Sequence, residues 1–224
     1  MANPFPIAHW QSPTQEYNIQ IGSGAASLYT AETVPVREWY EYGWSVVIIP
    51  QTDINQIGDI LSVSFLSYPA STTTAHNIPN QKIFMGHTGI TAFPTDNVVE
   101  QAISFYGSGK TQVFGTANPD GDTITWAPDG TWQEVTLDTP FAYNNVDNLM
   151  IKWENRQALA NWTSPDGCVD YICSSEDMEF YVDFAPVPGT RLCARDWDTS
   201  SYPISSFMTA GQFIPTMILK IYGP

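Results

Sequence analysis

The chain has 224 residues, which is enough for one large all-β domain with a substantial core, so a second domain is not required. Eight Lys and Arg against 23 Asp and Glu give a formal net charge of -15, which argues against nucleic acid as a partner because the phosphates would be repelled. Charged residues make up only 14% of the chain, against roughly 25% in typical soluble domains, a composition typical of an outer-surface protein.

The first residues contain Pro4, Pro6 and Pro13 and show little periodicity. We expect residues 1–18 to form an extended arm that docks on a neighbour or is disordered, and residues 19–224 to form a single β-sandwich domain. Deletion of residues 1–17 is expected to leave a folded domain but to abolish assembly. The chain has no basic region followed by an apolar stretch at its start and no run of about 18 apolar residues, so we expect neither a signal peptide nor membrane insertion.

Short runs rich in β-branched and aromatic residues recur after the arm, bounded by Gly, Pro, Asn and Asp, and predict about ten strands. These runs cover residues 44–49, 60–66, 81–86, 101–106, 111–116, 123–126, 133–137, 149–154, 178–184 and 216–222. Their number and spacing predict an all-β fold, an antiparallel β-sandwich that is jelly-roll-like and has little helix. Short helical turns are expected only at residues 53–58 and 95–102.

The tripeptide Pro-Asp-Gly predicts tight turns, because Pro fixes φ, Asp bonds its own backbone and Gly accepts a positive φ. It occurs at residues 119–121, 128–130 and 165–167. The first two copies bracket residues 122–127 and predict an antiparallel meander in the middle of the chain.

The cysteines are too few for a disulfide scaffold and lack the paired spacing of a structural zinc site. They are Cys168, Cys173 and Cys193. A disulfide between Cys168 and Cys173 and buried thiols remain alternatives.

A candidate calcium site lies in the first Pro-Asp-Gly turn. Asn118, Asp120 and Asp122 present three oxygen-bearing side chains at alternate positions around a glycine, which is a ligand set that Ca²⁺ accepts. The bidentate Glu of a complete EF-hand loop is missing, so a plain turn is the alternative. Apart from this structural Ca²⁺, no cofactor is predicted.

The sequence does not predict an enzyme. Its histidines, His9, His76 and His87, lie in separate segments, and we find neither a nucleophile elbow nor a zinc-protease motif. Residues 107–111 (GSGKT) lack the full spacing of a phosphate-binding loop. No catalytic or cofactor-binding residue is therefore proposed from the sequence.

Aromatic residues are abundant and are densest in one short segment, which contains Trp39, Tyr40, Tyr42 and Trp44. Exposed rings on a β scaffold stack on sugars or anchor protein partners, so these four residues are a candidate contact with a ligand or partner. Their alternate spacing places Tyr40, Tyr42 and Trp44 on one side of an extended segment, which fits a core stripe equally well.

Several segments, taken in order, resemble a group of extracellular β-sandwich modules common in surface and secreted proteins of Bacteroidetes. The segments are residues 21–24 (IGSG), 42–45 (YGWS), 60–65 (ILSVSF), 83–88 (IFMGHT), 132–141 (WQEVTLDTPF) and 148–151 (NLMI). The resemblance covers roughly residues 21–154 and implies an adhesin-like sandwich. Such modules are accessory parts of adhesins, proteases and glycan-active enzymes without a shared catalytic set, so no catalytic residue is carried over.

The family's modules normally follow a signal peptide or belong to long multidomain chains, whereas this sequence shows no leader. Virions assemble in the cytoplasm and are released by lysis, so an outward-facing virion protein needs no export signal. We therefore expect a non-enzymatic structural or attachment protein on the surface of a bacteriophage virion, as a head decoration, fibre or tail-tip component. Its expected partners are other virion proteins or copies of itself, together with host surface glycans. The alternative is a carbohydrate- or protein-binding adhesin module of a bacterial surface or secreted protein.

Overall fold

The computed structural model describes residues 14–23, 42–67, 75–93, 97–98, 109–126, 130–157, 182–184, 193–198, 208–211 and 213–224. Within these ranges lie fourteen strands and one short helix. They are β1 (Gln15–Ile21), β2 (Tyr42–Ile49), α1 (Gln51–Ile54), β3 (Gly58–Leu66), β4 (His76–Thr88), β5 (Asn97–Val98), β6 (Thr111–Phe114), β7 (Asp122–Trp126), β8 (Trp132–Tyr143), β9 (Asn148–Arg156), β10 (Val182–Phe184), β11 (Cys193–Asp198), β12 (Met208–Gly211), β13 (Phe213–Pro215) and β14 (Met217–Gly223).

The described strands form two main antiparallel sheets. The smaller sheet has four strands in the order β1-β14-β3-β8. The larger sheet has the order β5-β12-β11-β2-β9-β4-β6, with β7 also paired to β4, and β10 pairs with β13 separately. The strand β3 of the smaller sheet lies in sequence between β2 and β4 of the larger sheet, and β8 of the smaller sheet is followed by β9 of the larger sheet. Both sheets are therefore built from segments distant in sequence.

The hydrophobic core lies between the two sheets, because alternate residues of each strand point to the same face. Val47 and Ile49 of β2 belong to the same buried cluster as Val63 of β3 and Leu219 of β14. The rings of Phe65 in the smaller sheet and Trp153 in the larger sheet meet edge to face, with centroids 5.8 Å apart. The predicted all-β antiparallel sandwich with little helix is confirmed, whereas the jelly-roll connection stays a prediction.

The N-terminal strand corrects the predicted boundary between arm and domain. β1 begins at Gln15 and pairs with β14 along its whole length, from Gln15 opposite Gly223 to Ile21 opposite Met217. Residues 15–18 therefore belong to the sandwich, because Tyr17 and Ile19 alternate with polar residues and point to the core side of the sheet. Residues 1–13 of the predicted arm lie outside the described residues.

The predicted meander in the middle of the chain is wrong. β6 and β7 both pair with β4 and not with each other, since β4 is long enough to accept two short partners in succession. A register shift between Ile78 and Gln81 separates β4 into its two parts. Pro79 lies in this irregular region, where its missing N–H leaves no ladder hydrogen bond unmade.

The helical turns are also placed differently from the prediction. The helix α1 covers Gln51–Ile54 and ends at Asn55, which adopts the left-handed conformation at φ 44°. Asn97 and Val98, in the second predicted helical turn, instead form the short strand β5. Of the predicted strands, residues 101–106 and 178–181 lie outside the described residues.

The strand β8 leaves its neighbour β3 for four residues. Its register jumps from Phe141 opposite Ile60 to Thr136 opposite Ser62, so residues 137–140 face only one residue of β3. Pro140 lies in this bulge, which is where a strand tolerates proline. The carboxylate of Asp138 accepts hydrogen bonds from the backbone N–H and the hydroxyl of Thr116, at 2.8 and 3.0 Å, and so connects β8 to the segment after β6.

Candidate functional site

The predicted calcium ligands lie in the loop between β6 and β7, which is held by its own hydrogen bonds. The side chain of Asn118 accepts from the backbone N–H of Asp120 at 3.2 Å, and the N–H of Gly121 donates to the Asn118 carbonyl at 3.0 Å. Lys82 of β4 donates to the Pro119 carbonyl. This confirms the predicted turn and accounts for Asn118 and Gly121 in it.

The three oxygen-bearing side chains of this loop differ in exposure, with Asn118 and Asp120 exposed and Asp122 half-buried at the start of β7. Across the part of the chain that the structure describes, no group of three or more His, Cys, Asp and Glu residues is arranged to hold a metal ion. Calcium binding by Asn118, Asp120 and Asp122 stays a prediction.

The aromatic cluster lies only partly within the described residues. Trp39 and Tyr40 lie outside them, whereas Tyr42 and Trp44 belong to β2 and point to one side of it, as their spacing predicts. Trp44 is only 3% exposed and Tyr42 is half-buried. Trp44 is therefore buried and not exposed in the structure, and contact of these four residues with a ligand or partner stays a prediction.

The larger sheet is buried on both of its faces around β2 and β9. Trp44, Val46 and Ile48 point away from the core between the sheets, yet each is at most 3% exposed. Their neighbours on β9 are Glu154, Lys152 and Met150, and all of these are buried as well. Two charged side chains therefore lie in the interior on this face.

The buried charges are compensated by one another along β9. Lys152 Nζ lies 2.7 Å from one oxygen of Glu154, and Arg156 Nε lies 2.7 Å from the other. Lys152 Nζ also lies 5.8 Å from the centre of the Phe84 ring. Burial of the Glu154 carboxyl raises its pKa, but the charges and hydrogen bonds of Lys152 and Arg156 outweigh burial and hold the pKa below 4.5.

A buried polar network at one end of the core was not predicted from the sequence. Gln81 donates to the side chain of Asn155 at 2.6 Å and accepts from the indole N–H of Trp153 at 2.8 Å. Gln157 follows Asn155 by two residues, and its buried side-chain Nε2 has no hydrogen-bond partner among the described residues. Gln81 and Asn155 are 74 residues apart, so only the pairing of β4 with β9 brings them together.

The outer face of the smaller sheet is polar. Glu134 of β8 accepts hydrogen bonds from Lys220 and Ser62, each at 2.6 Å. The bond from Lys220, followed by the bond from Ser62, lowers the pKa of Glu134, and the same contact raises the pKa of Lys220. Glu16 of β1 adds a further favourable charge beside Lys220. The ion pair between Glu134 and Lys220 therefore lies at the surface and, with Ser62, involves three neighbouring strands. None of the described charged side chains on this face is buried.

The strand β1 is one of the two edges of the smaller sheet, and β8 is the other. Among the described residues β1 pairs only with β14, so its other side presents backbone N–H and C=O groups along seven residues. Glu16, Asn18 and Gln20 are exposed, while Tyr17 and Ile19 are half-buried. Such an edge recognises an extended strand through main-chain hydrogen bonds.

The two ends of the described chain meet at this edge. The hydroxyls of Thr14 and Tyr222 lie 2.7 Å apart, and the hydroxyl of Tyr17 donates to the carbonyl of Pro224 at 3.0 Å. Residues 1–13, the first part of the segment 1–18 predicted to be an arm, precede this edge strand in the chain. The sequence suggested the arm but not the edge strand into which it leads.

Comparison with known proteins finds no match for this chain among protein families, curated proteins or solved structures. The resemblance to Bacteroidetes surface modules therefore stays a prediction from the quoted segments.

The helix α1, the one helix in the described ranges, is not long and apolar enough to cross a membrane.

Proposed function

We propose that this chain is a non-enzymatic structural or attachment protein on the outside of a bacteriophage virion, as a head decoration, fibre or tail-tip component. In this role it assembles with other virion proteins or with copies of itself and contacts glycans of the host surface. The sandwich supplies a rigid body, and β1 together with the N-terminal segment supplies the attachment.

The observation that carries the proposal is the position of β1. It is an edge strand, it is exposed on alternate residues, and its first four residues are the end of the segment 1–18 predicted to be an arm. A strand edge continuous with an N-terminal segment gives neighbouring subunits both a docking surface and a tether.

The composition and the sheet surfaces support the same proposal. A net charge of -15 keeps an outward-facing protein soluble and opposes binding to nucleic acid. The buried faces of the larger sheet and the core between the sheets hold the body together, while the smaller sheet presents a polar face to the outside. The resemblance to Bacteroidetes surface modules suggests which bacteria would be the hosts.

The proposal is tested by locating the protein on particles. Antibodies against the purified chain are applied, with gold-labelled second antibody, to phage particles and cells of the strain in which this gene is found. We expect gold on the surface of intact virions. Gold confined to the bacterial surface would overturn the proposal in favour of the adhesin module, and gold on neither would overturn it outright.

The antibody experiment needs a matched control for non-specific labelling. Antibody that has been depleted on the immobilised chain should leave the particles unlabelled. Labelling that survives this depletion does not come from the chain and counts against the proposal.

A further inference from the structure

We infer that two copies of this chain pair through β1, antiparallel and centred on Asn18, so that their smaller sheets join into one sheet. The inference rests on the proposed function, since it names the partner of the edge that function requires. It is carried by three features of β1, namely an edge that pairs with none of the described strands, a self-complementary register and a half-buried apolar side.

Within the residues that the structure describes, the edge of β1 lacks most of the devices that natural sheets use to prevent pairing. Edge strands are normally kept apart by lysine, proline, bulges or very short length. β1 contains no Lys and no Pro, and its seven residues pair with β14 without any register shift. A regular strand of this length is a template for another strand.

The alternation of β1 restricts the register in which a second copy can pair. Tyr17, Ile19 and Ile21 point to the core side, and residues between them point outward. A slip by one residue would place core-side residues of one copy opposite outward residues of the other. Only registers that pair odd residues with odd residues keep both cores on the same side of the joined sheet.

Charge and length then select one of the allowed registers. A pair centred on Asn18 uses all seven residues of both strands, whereas any other centre leaves residues at both ends unpaired. Glu16 is the only charged residue of β1. In the register centred on Asn18 it faces Gln20 of the second copy, whereas a pair centred on Glu16 would bring two carboxylates together.

The same register covers the apolar side chains that β1 leaves half-buried. Tyr17 of one copy lies opposite Ile19 of the other, and an aromatic ring against a β-branched side chain is a favourable cross-strand pair. The joined sheet then runs β8-β3-β14-β1 in one copy and continues in reverse order through the other. A two-fold axis passes through the paired Asn18 residues.

Cysteine cross-linking tests the register directly. In Asn18→Cys the two introduced thiols face each other with Cα atoms about 5 Å apart, which suits a disulfide. In the control Gln20→Cys they lie on the same face but about 14 Å apart, four residues out of register. We expect oxidation to link most of the first variant into covalent dimers, and neither the control nor the unmodified chain.

A charge variant tests the pairing without a covalent bond. Asn18→Asp places a carboxylate opposite Lys220 of its own sheet, which favours the folded chain, but opposite an identical carboxylate across the two-fold axis. We expect light scattering to give twice 24.9 kDa, or a multiple of that mass, for the unmodified chain and a halved mass for the variant. Thr123→Asp, exposed on β7, adds the same charge away from the edge and should leave the mass unchanged.

Three results would overturn the pairing. They are a monomeric unmodified chain at every concentration tested, equal cross-linking of both cysteine variants, or an Asn18→Asp mass equal to that of the unmodified chain. Should Asn18→Asp fail to fold, the cysteine pair still decides. Gold labelling of virions does not depend on β1, so labelled virions without cross-linking would overturn the pairing alone, whereas cross-linking without labelled virions would overturn the proposed function alone.

Discussion

Two glycines in the loop between β6 and β7, which packs against β4 at Gln81, show how single residues hold the sandwich together. Gly115 and Gly121 have φ values of 71° and 109°, and a Cβ atom on either would lie 2.4 or 2.5 Å from the Gln81 carbonyl oxygen. Gln81 is fully buried and anchors the polar network with Trp153 and Asn155. The polar network of Gln81 therefore requires the backbone at Gly115 and Gly121 to lie close to the Gln81 carbonyl.

Gly115→Ala is expected to destabilise the protein by about 3 kcal/mol, because the left-handed backbone and the contact with the Gln81 carbonyl both oppose a side chain. Gly109→Ala is the matched control, since Gly109 has a φ of 74° but no atom within 4 Å of a Cβ. We expect it to cost only about 1 kcal/mol. Urea unfolding of the three proteins measures both values, and equal losses would show that the close contact is not important.

The ion pair on β9 is expected to be sensitive to the loss of one partner. Glu154→Gln leaves the charge of fully buried Lys152 without its carboxylate at 2.7 Å and should destabilise the protein by about 3 kcal/mol. The pKa of Glu154 is lowered on folding, so its contribution is complete above about pH 4.5 and is lost as the pH falls through the lower folded value. The difference in unfolding free energy between the two proteins should therefore shrink in acid. A difference that is constant or grows as the pH falls would contradict this role.

The turn at residues 119–121 was predictable from the sequence, whereas the burial of particular polar side chains was not. Pro119, Asp120 and Gly121 form the expected turn because their local bonding preferences decide it. Neither Gln81 nor Lys152 has a local sequence signal for burial. Gln81 bonds to Asn155, which only the pairing of β4 with β9 brings close, and Lys152 pairs with Glu154 because alternate residues of β9 share a face. For Trp44, the spacing of the aromatic residues alone did not distinguish a buried position from an exposed contact with a ligand or partner.

At the scale of elements, β1 decides how much of the N-terminus the sandwich needs. Deletion of residues 1–13, which were predicted to be part of the arm, should leave the free energy of unfolding within about 0.5 kcal/mol. Deletion of residues 1–17 removes three residues that pair with β14, including Tyr17 and its bond to Pro224. We expect a loss of about 1–3 kcal/mol. Equal stability of the two deletion variants, measured by thermal unfolding, would contradict the assignment of residues 15–17 to the sheet.

Strands rich in apolar residues were predictable, whereas the largely polar strand β1 was not. The predicted residues 44–49, 60–66 and 149–154 lie within β2, β3 and β9. β1 was taken for part of the arm because its sequence is polar except for Tyr17, Ile19 and Ile21. The meander was wrong because turn residues show where a chain reverses, but not which strand it then joins.

At the scale of the whole molecule, the two sheets have different surfaces. The larger sheet is buried on both faces around β2 and β9, and the smaller sheet keeps a polar outer face and ends in the edge strand β1. The all-β sandwich followed from composition and strand spacing. The candidate surface did not, because an edge is a property of sheet order, which no single segment of sequence encodes.

The most direct test of assembly through this edge is backbone hydrogen exchange of β1 measured at low and high protein concentration. In a single copy, alternate amides of residues 15–21 point away from β14 and exchange readily, whereas in the pair they are bonded to the second copy. We predict that exchange in β1 slows as concentration rises, that exchange in β3 does not change, and that Asn18→Asp abolishes the effect. Exchange in β1 that is the same at both concentrations would contradict assembly through the edge.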